Sequence, residues 1–211
     1  MKTRSPVVAG QFYPESKDEL SSLINDVYKK EKKSIDTSYS NKTIIGGIVP
    51  HAGYMFSAYQ AVHFFENIRQ LPKQFETIVI VNPSHTGMGN AIAIDDNDSW
   101  RSPLGETAID KDFVEEMNLP VSDSEQKREH SGEVMLPMLQ HFLDYDFKIL
   151  PITITHQTFE NARQVALEIF EANKKLNKNI VIIASSDFSH FVHPETGKKL
   201  DQLVIDKILA W

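Results

Sequence analysis

Twice in this chain a short β-branched apolar run leads into a helical stripe and then into another apolar run, and no other sequence feature constrains the fold as strongly. Thr43 to Val49 reads as a buried strand. Ala58, Ala61, Val62, Phe65 and Ile68 then recur at helical spacing, and Thr77 to Val81 is a second strand. The pattern returns with a strand over Phe147 to Ile154, a helix over Thr158 to Leu176 and a strand over Ile180 to Ala184. In that second helix Val165, Ala166, Ile169 and Phe170 are expected to face inward. Strand, helix, strand units of this length place their strands parallel in one sheet. The fold class expected is therefore α/β, with three layers and a central, mostly parallel or mixed sheet flanked by helices.

The remaining elements fit around this frame. Ser16-Lys17-Asp18-Glu19 has the form of a capping box and precedes a stripe at Leu20, Leu23, Ile24, Val27 and Tyr28, which predicts a first helix. The polar stretch from Ser34 to Asn41 reads as a loop. Ala91 to Ile94 reads as a short strand, and Ile109, Phe113, Val114 and Met117 mark a short helix. Glu133 to Leu143 reads as helical, with Pro137 requiring either a start just before it or a kink. Leu200, Leu203, Val204, Ile208 and Trp211 carry a helical stripe to the last residue with no stop signal after it. Such a helix either packs against something that follows, so that the chain is shortened relative to its relatives and leaves an apolar strip exposed or covered by a second copy, or frays at its end.

Composition narrows the function classes. A chain of 211 residues is expected to form a single domain. Its 22 Lys and Arg against 29 Asp and Glu, a net charge of −7, argue against nucleic acid or an anionic membrane as partner. The basic run Lys29 to Lys33 reads as a solvated helix end. With no Cys there is neither a disulfide framework nor a thiolate ligand. The longest apolar run, Ile180 to Ala184, is far short of the roughly 20 residues of a membrane-spanning helix. Met1 to Pro6 has no signal-peptide core behind it, so a cytoplasmic location is expected.

The chemistry-bearing residues follow the strands. Pro50-His51-Ala52-Gly53-Tyr54 follows the first strand, Asn82-Pro83-Ser84-His85-Thr86-Gly87 the second, and Ser185-Ser186-Asp187-Phe188-Ser189-His190 the last. In parallel α/β sheets ligands bind where loops converge beyond the carboxyl ends of strands. His51, His85 and Asp187 are therefore expected to share one edge. Neutral imidazoles suit a divalent ion such as Fe, Zn or Cu, and His51 and His85 are the candidate ligands; the alternative is hydrogen-bonded loop histidines. Asp187 and His190, three residues apart, suit an acid–base pair; the alternative for Asp187 is a turn cap. Glu129-His130-Ser131-Gly132-Glu133 groups two carboxylates, an imidazole and a hydroxyl. His130 is a candidate catalytic residue, with Glu133, Tyr54 and Ser186 as candidate binding residues, while Ser131 reads as an N-cap. No Gly-x-Ser-x-Gly elbow supports a serine hydrolase. His63, His141, His156 and His193 are assigned no chemistry.

The run Arg4 to Pro14, with the sequence Arg-Ser-Pro-Val-Val-Ala-Gly-Gln-Phe-Tyr-Pro, the Pro50 to Tyr54 turn, Asn82 to Gly87, Glu129 to Glu133 and Ser185 to His190 together resemble the Memo-like family, the B component of the AmmeMemoRadiSam set. The resemblance implies a LigB-like fold, related to class III extradiol dioxygenases, in which two His and one Glu hold non-haem iron. In Memo-like proteins the third position is typically a Cys near the C-terminus. His51 and His85 match the two family histidines, Asp187 and His190 its Ser-Ser-Asp-x-x-His segment, and His130 with Glu133 its Glu-His-Ser-x-Glu segment. Without Cys, the family's ligand set is expected to be incomplete here, the segment that carries it lying beyond Trp211. Three functions follow from the same residues: a metal-dependent redox or dioxygenase-like enzyme, a non-catalytic phosphopeptide-binding module, and a metal-assisted hydrolase. The partner expected is a small molecule or a peptide, with a homo-oligomer as a further possibility.

Overall fold

A five-stranded sheet in the order β2-β8-β3-β7-β4 organises the chain. The computed structural model describes residues 1–210, with the side chains of residues 40 and 41 excepted, so Trp211 lies outside the described residues. The strands are β2 (Gly46–Val49), β8 (Ile180–Ser185), β3 (Thr77–Pro83), β7 (Lys148–Ile154) and β4 (Ile92–Ile94). The first four are mutually parallel, and β4 runs antiparallel on β7, so the sheet is mixed. A second, three-stranded sheet in the order β1-β5-β6 (β1 Thr3–Arg4, β5 Ser99–Ser102, β6 Gly105–Ala108) was not anticipated. Its strands are short and polar, and β1 takes its partner from residues 99 and 100, so no local pattern announces it.

Alternation along β3 explains the layers. Ile78 and Ile80 point to one face, where α1 (Lys17–Glu31), α2 (Tyr54–Arg69) and α4 (Met135–Phe142) cover them. Val79 and Val81 point to the other, under α3 (Lys111–Glu116) and α5 (Phe159–Leu176). A strand with both faces covered reads as a continuous apolar run. No helix among the described residues is long and apolar enough to cross a membrane.

Several sequence expectations are refined by packing. Ser16 takes the N-cap position of α1, but its side chain makes no capping bond. The loop expected over Ser34 to Asn41 contains a 3-10 turn, Ser38–Asn41. The first strand begins at Gly46 rather than Thr43 and lies at the sheet edge, with Ile45 and Ile48 exposed instead of buried. Gly47 is required there, because a Cβ would lie 2.5 Å from the ring of Phe64 on α2. Pro137 sits in the first turn of α4, where its missing N–H would have had no intrahelical partner, so the helix starts before it and no kink is needed. On α5, Val165, Ile169 and Ala172 are buried, whereas Ala166 and Phe170 face solvent. One residue is about 100° of helical rotation, which takes Ala166 and Phe170 off a stripe of this width.

The last helix, α6 (Pro194–Leu209), buries only Gly197, and its stripe of Leu200, Leu203, Val204 and Ile208 is exposed. Leu136 on α4, by contrast, is wholly buried. Leu136→Ala is expected to cost about 2–5 kcal/mol in urea unfolding, and Leu203→Ser less than about 0.5 kcal/mol. Equal losses for the two variants would show that α6 belongs to the core.

Candidate metal centre

Because β2, β8 and β3 are consecutive and parallel, their carboxyl ends deliver His51, Asp187 and His85 to one edge of the sheet. His130 joins them from the segment preceding α4. The ring centroids of His51 and His85 are 5.2 Å apart, those of His85 and His130 4.5 Å, and those of His51 and His130 5.7 Å. One ring nitrogen from each of these three lies within 4.8 Å of the others, and His51, Asp187 and His190 form a second such group.

Hydrogen bonding sets the tautomers. The Ser185 hydroxyl donates to the Ser131 carbonyl at 2.7 Å, so its oxygen accepts from His51 Nδ1, also at 2.7 Å. That leaves the lone pair of His51 on Nε2, which is buried with no hydrogen-bond partner among the described residues. His85 Nδ1 faces the Glu129 carboxylate at 2.9 Å, and a carboxylate only accepts, so Nδ1 carries the proton there as well. His130 Nδ1 is 3.3 Å from the same carboxylate. An imidazole with Nδ1 held by protein and Nε2 free is the usual form of a metal-ligating histidine, and the orphaned Nε2 of His51 is an atom that a bound cation would satisfy.

Glu129 is wholly buried and was not singled out by sequence reasoning. Beyond the His85 ring, its carboxylate accepts from the backbone N–H groups of His85 (2.5 Å), His130 (2.9 Å) and Ser131 (2.9 Å) and from the Ser131 hydroxyl (2.8 Å). Burial alone would raise its pKa, but the donors from His85 and Ser131 outweigh it and hold the group below the usual carboxylate range. Local spacing gives no hint of this role, because His85 and Glu129 are 44 residues apart. Ser185 was noted only as a neighbour of Asp187, and Ser131 as an N-cap.

The other candidate residues divide clearly. Asp187 Oδ1 accepts from the backbone N–H of His51 and, at 3.0 Å, from that of Ala52, which fixes the loop after β2. Its Oδ2 is 3.7 Å from His51 Nε2 and 3.3 Å from His190 Nε2, and the His190 side chain is half exposed at the rim. Ser186 borders a hollow of about 420 Å³ with Asn82, Gln157 and Phe159, and among the described residues no charged side chain lines it. Glu133 does not line the cluster as expected. Its buried carboxylate binds Arg4 Nη1 at 2.7 Å, the N–H groups of Val7 and Val8 and the Tyr13 hydroxyl, anchoring the N-terminal segment. Tyr54 belongs to neither histidine group, and its buried hydroxyl donates to the Val134 carbonyl at 2.7 Å. His63, His141, His156 and His193 belong to neither of the two groups.

The family model for Memo-like proteins matches residues 4–211. The chain belongs to the Memo-like family. It is 36% identical to a MEMO1 family protein of Methanopyrus kandleri, over 98% of this chain and 76% of the relative. It is 39% identical to one of Methanocaldococcus jannaschii, over 99% of this chain and 76% of the relative, and 38% identical to one of Archaeoglobus fulgidus, over 98% and 75%. In this Memo-like protein, which has no Cys, three imidazoles stand together in a group that could hold a metal ion.

Burial pushes the His51 imidazole down to about 4 from 6.5, opposed by Asp187 and reinforced by His85 and His130. Burial lowers His130 as well. Between those two pH values the unfolded chain binds protons that the folded chain refuses, so stability is expected to fall as pH drops from about 6.5 towards about 4. Denaturation at a series of pH values measures this, and His51→Gln should flatten the slope. A parental profile already flat across the window would contradict the burial of a neutral His51.

Proposed function

We propose that this Memo-like protein is a metal-dependent enzyme of the redox, extradiol dioxygenase-like kind, with His51, His85 and His130 as the ligands of one divalent ion. The observation that carries the proposal is the set of three neighbouring imidazoles, one of which has a buried ring nitrogen without a partner. Fe, Zn and Cu all accept such a donor set, and the LigB-like motif resemblance favours Fe. When bound, the ion would supply a Lewis-acidic or redox-active centre with open positions.

The chain's own residues supply the rest. Ser185 and Glu129 hold the His51 and His85 rings in the tautomers that present Nε2, and the Glu129 carboxylate lies 3.3 Å from His130 Nδ1. Asp187 positions His190 through Nε2, 3.3 Å away, which leaves Nδ1 to take or give a proton at the rim. His51 has one free ring nitrogen, so the two groups that share it compete for a single ion rather than bind two. The uncharged hollow beside Ser186 suits a small neutral organic substrate better than a phosphorylated peptide. Metal-assisted hydrolysis would use the same residues and is distinguished by turnover without oxygen.

Anaerobic calorimetry with Fe2+ or Zn2+ tests this reading. One ion per chain is expected, with affinity falling as pH drops because protonated imidazole has no lone pair to donate. His51→Ala, His85→Ala and His130→Ala should each nearly abolish binding, while Glu129→Gln should weaken it about 10–100-fold. His190→Ala should leave most of the affinity and remove turnover. Equal heats for the parent and His130→Ala, with loss in His190→Ala, would move the ion to the group containing Asp187.

A further inference from the structure

Away from the histidines, α1 and the first turn of α2 enclose a groove made of two adjoining hollows of about 590 and 710 Å³, which share Pro14, Glu19, Leu23, Tyr54 and Met55. Part of its lining is apolar. Met55 and Phe56 are 73% and 74% exposed, side by side on α2, and Leu23 on α1 is partly buried against the core. Neighbouring exposed apolar side chains of this size are a signature of a contact surface rather than of a solvated helix end.

Three carboxylates, Glu15, Glu19 and Asp26, stand along this groove against one cation, Lys30. Lys30 is already engaged with Tyr59, its Nζ 3.3 Å from the hydroxyl, and Asp26 pairs with Lys29 at 3.2 Å. Glu15 and Glu19 have no ion-pair partner among the described residues. Apolar lining residues beside unneutralised carboxylates complement a segment whose apolar anchors alternate with Lys or Arg.

We propose that this groove is a docking site for a basic, amphipathic polypeptide segment, its apolar side chains seated on Leu23, Met55 and Phe56 and its cations facing Glu15 and Glu19. Phe12 is among the groove's lining residues, and its ring lies 4.6 Å from that of His130, while no histidine lines the groove among the described residues. The proposal stands whether or not the cluster binds a metal.

The test uses a fluorescent synthetic amphipathic peptide of Leu and Lys and its counterpart with every Lys replaced by Glu, followed by anisotropy at physiological salt in metal-free protein. Saturable one-to-one binding of the Lys peptide and none of the Glu peptide is expected. The double variant Met55→Ser/Phe56→Ser should weaken binding at least about tenfold, corresponding to about 1.4 kcal/mol, and leave the melting temperature nearly unchanged because both side chains are exposed. Glu15→Lys/Glu19→Lys should reverse the preference in favour of the Glu peptide, and His51→Ala should change nothing. Equal binding of both peptides, or undiminished binding by the Met55 and Phe56 variant, would overturn the proposal. So would a protein that dimerises through this face and becomes monomeric in the same variant, since the occupant would then be a second copy.

Discussion

The buried carboxylate of Glu129 ties the site together. It reaches His85 through both ring and backbone, and His130 and Ser131 through their backbone N–H groups. Through the Ser131 carbonyl and the Ser185 hydroxyl the same network extends to His51 Nδ1. A buried carboxylate without donors would be costly, and here each donor it needs is one the site needs held in place. Three imidazoles from three distant segments thereby share one set of constraints, and all that remains free on His51 is a buried nitrogen. Loss of this carboxylate would loosen His85 and His130 directly, whereas His51 is also held by Ser185 and, through its backbone N–H, by Asp187.

The site also depends on the N-terminal segment. Arg4 is buried between Glu133 and the ring of Trp100, 4.5 Å from its centroid, and donates to the carbonyls of Glu129 (2.5 Å) and Gln126 (2.9 Å). The guanidinium thus fixes the backbone on which Glu129 and His130 are mounted. Phe12, a few residues later, packs on the His130 ring, and its carbonyl accepts from the Tyr54 N–H at 2.7 Å. The run from Arg4 to Pro14 therefore clamps two of the loops that carry histidines.

Periodicity was a good guide wherever an element faces one uniform environment. The runs at 77–81, 147–154 and 180–184 lie inside the sheet, although Ile180 and Ile182 of the last are only half-buried and Ala184 is exposed. It was a poorer guide at the boundaries: Ile45 and Ile48 look like core residues in sequence, but β2 is an edge strand and leaves them exposed. The histidines after the strands were legible because a parallel sheet brings its carboxyl ends to one edge. The partners that give those histidines their chemistry were not, because His51 and Asp187 are 136 residues apart, His85 and Glu129 44, and neither contact has a local signature. Glu133 shows the converse, a carboxylate in a recognisable motif whose work is structural.

The central claim is that His51, His85 and His130 present Nε2 to one ion. Long-range nitrogen–proton NMR on histidine-labelled protein reads both tautomer and ligation. The account predicts Nδ1-protonated rings for all three before metal is added, and joint movement of their three Nε2 resonances at one equivalent of Zn2+. Movement of the His51 and His190 resonances with His85 and His130 unmoved would contradict it.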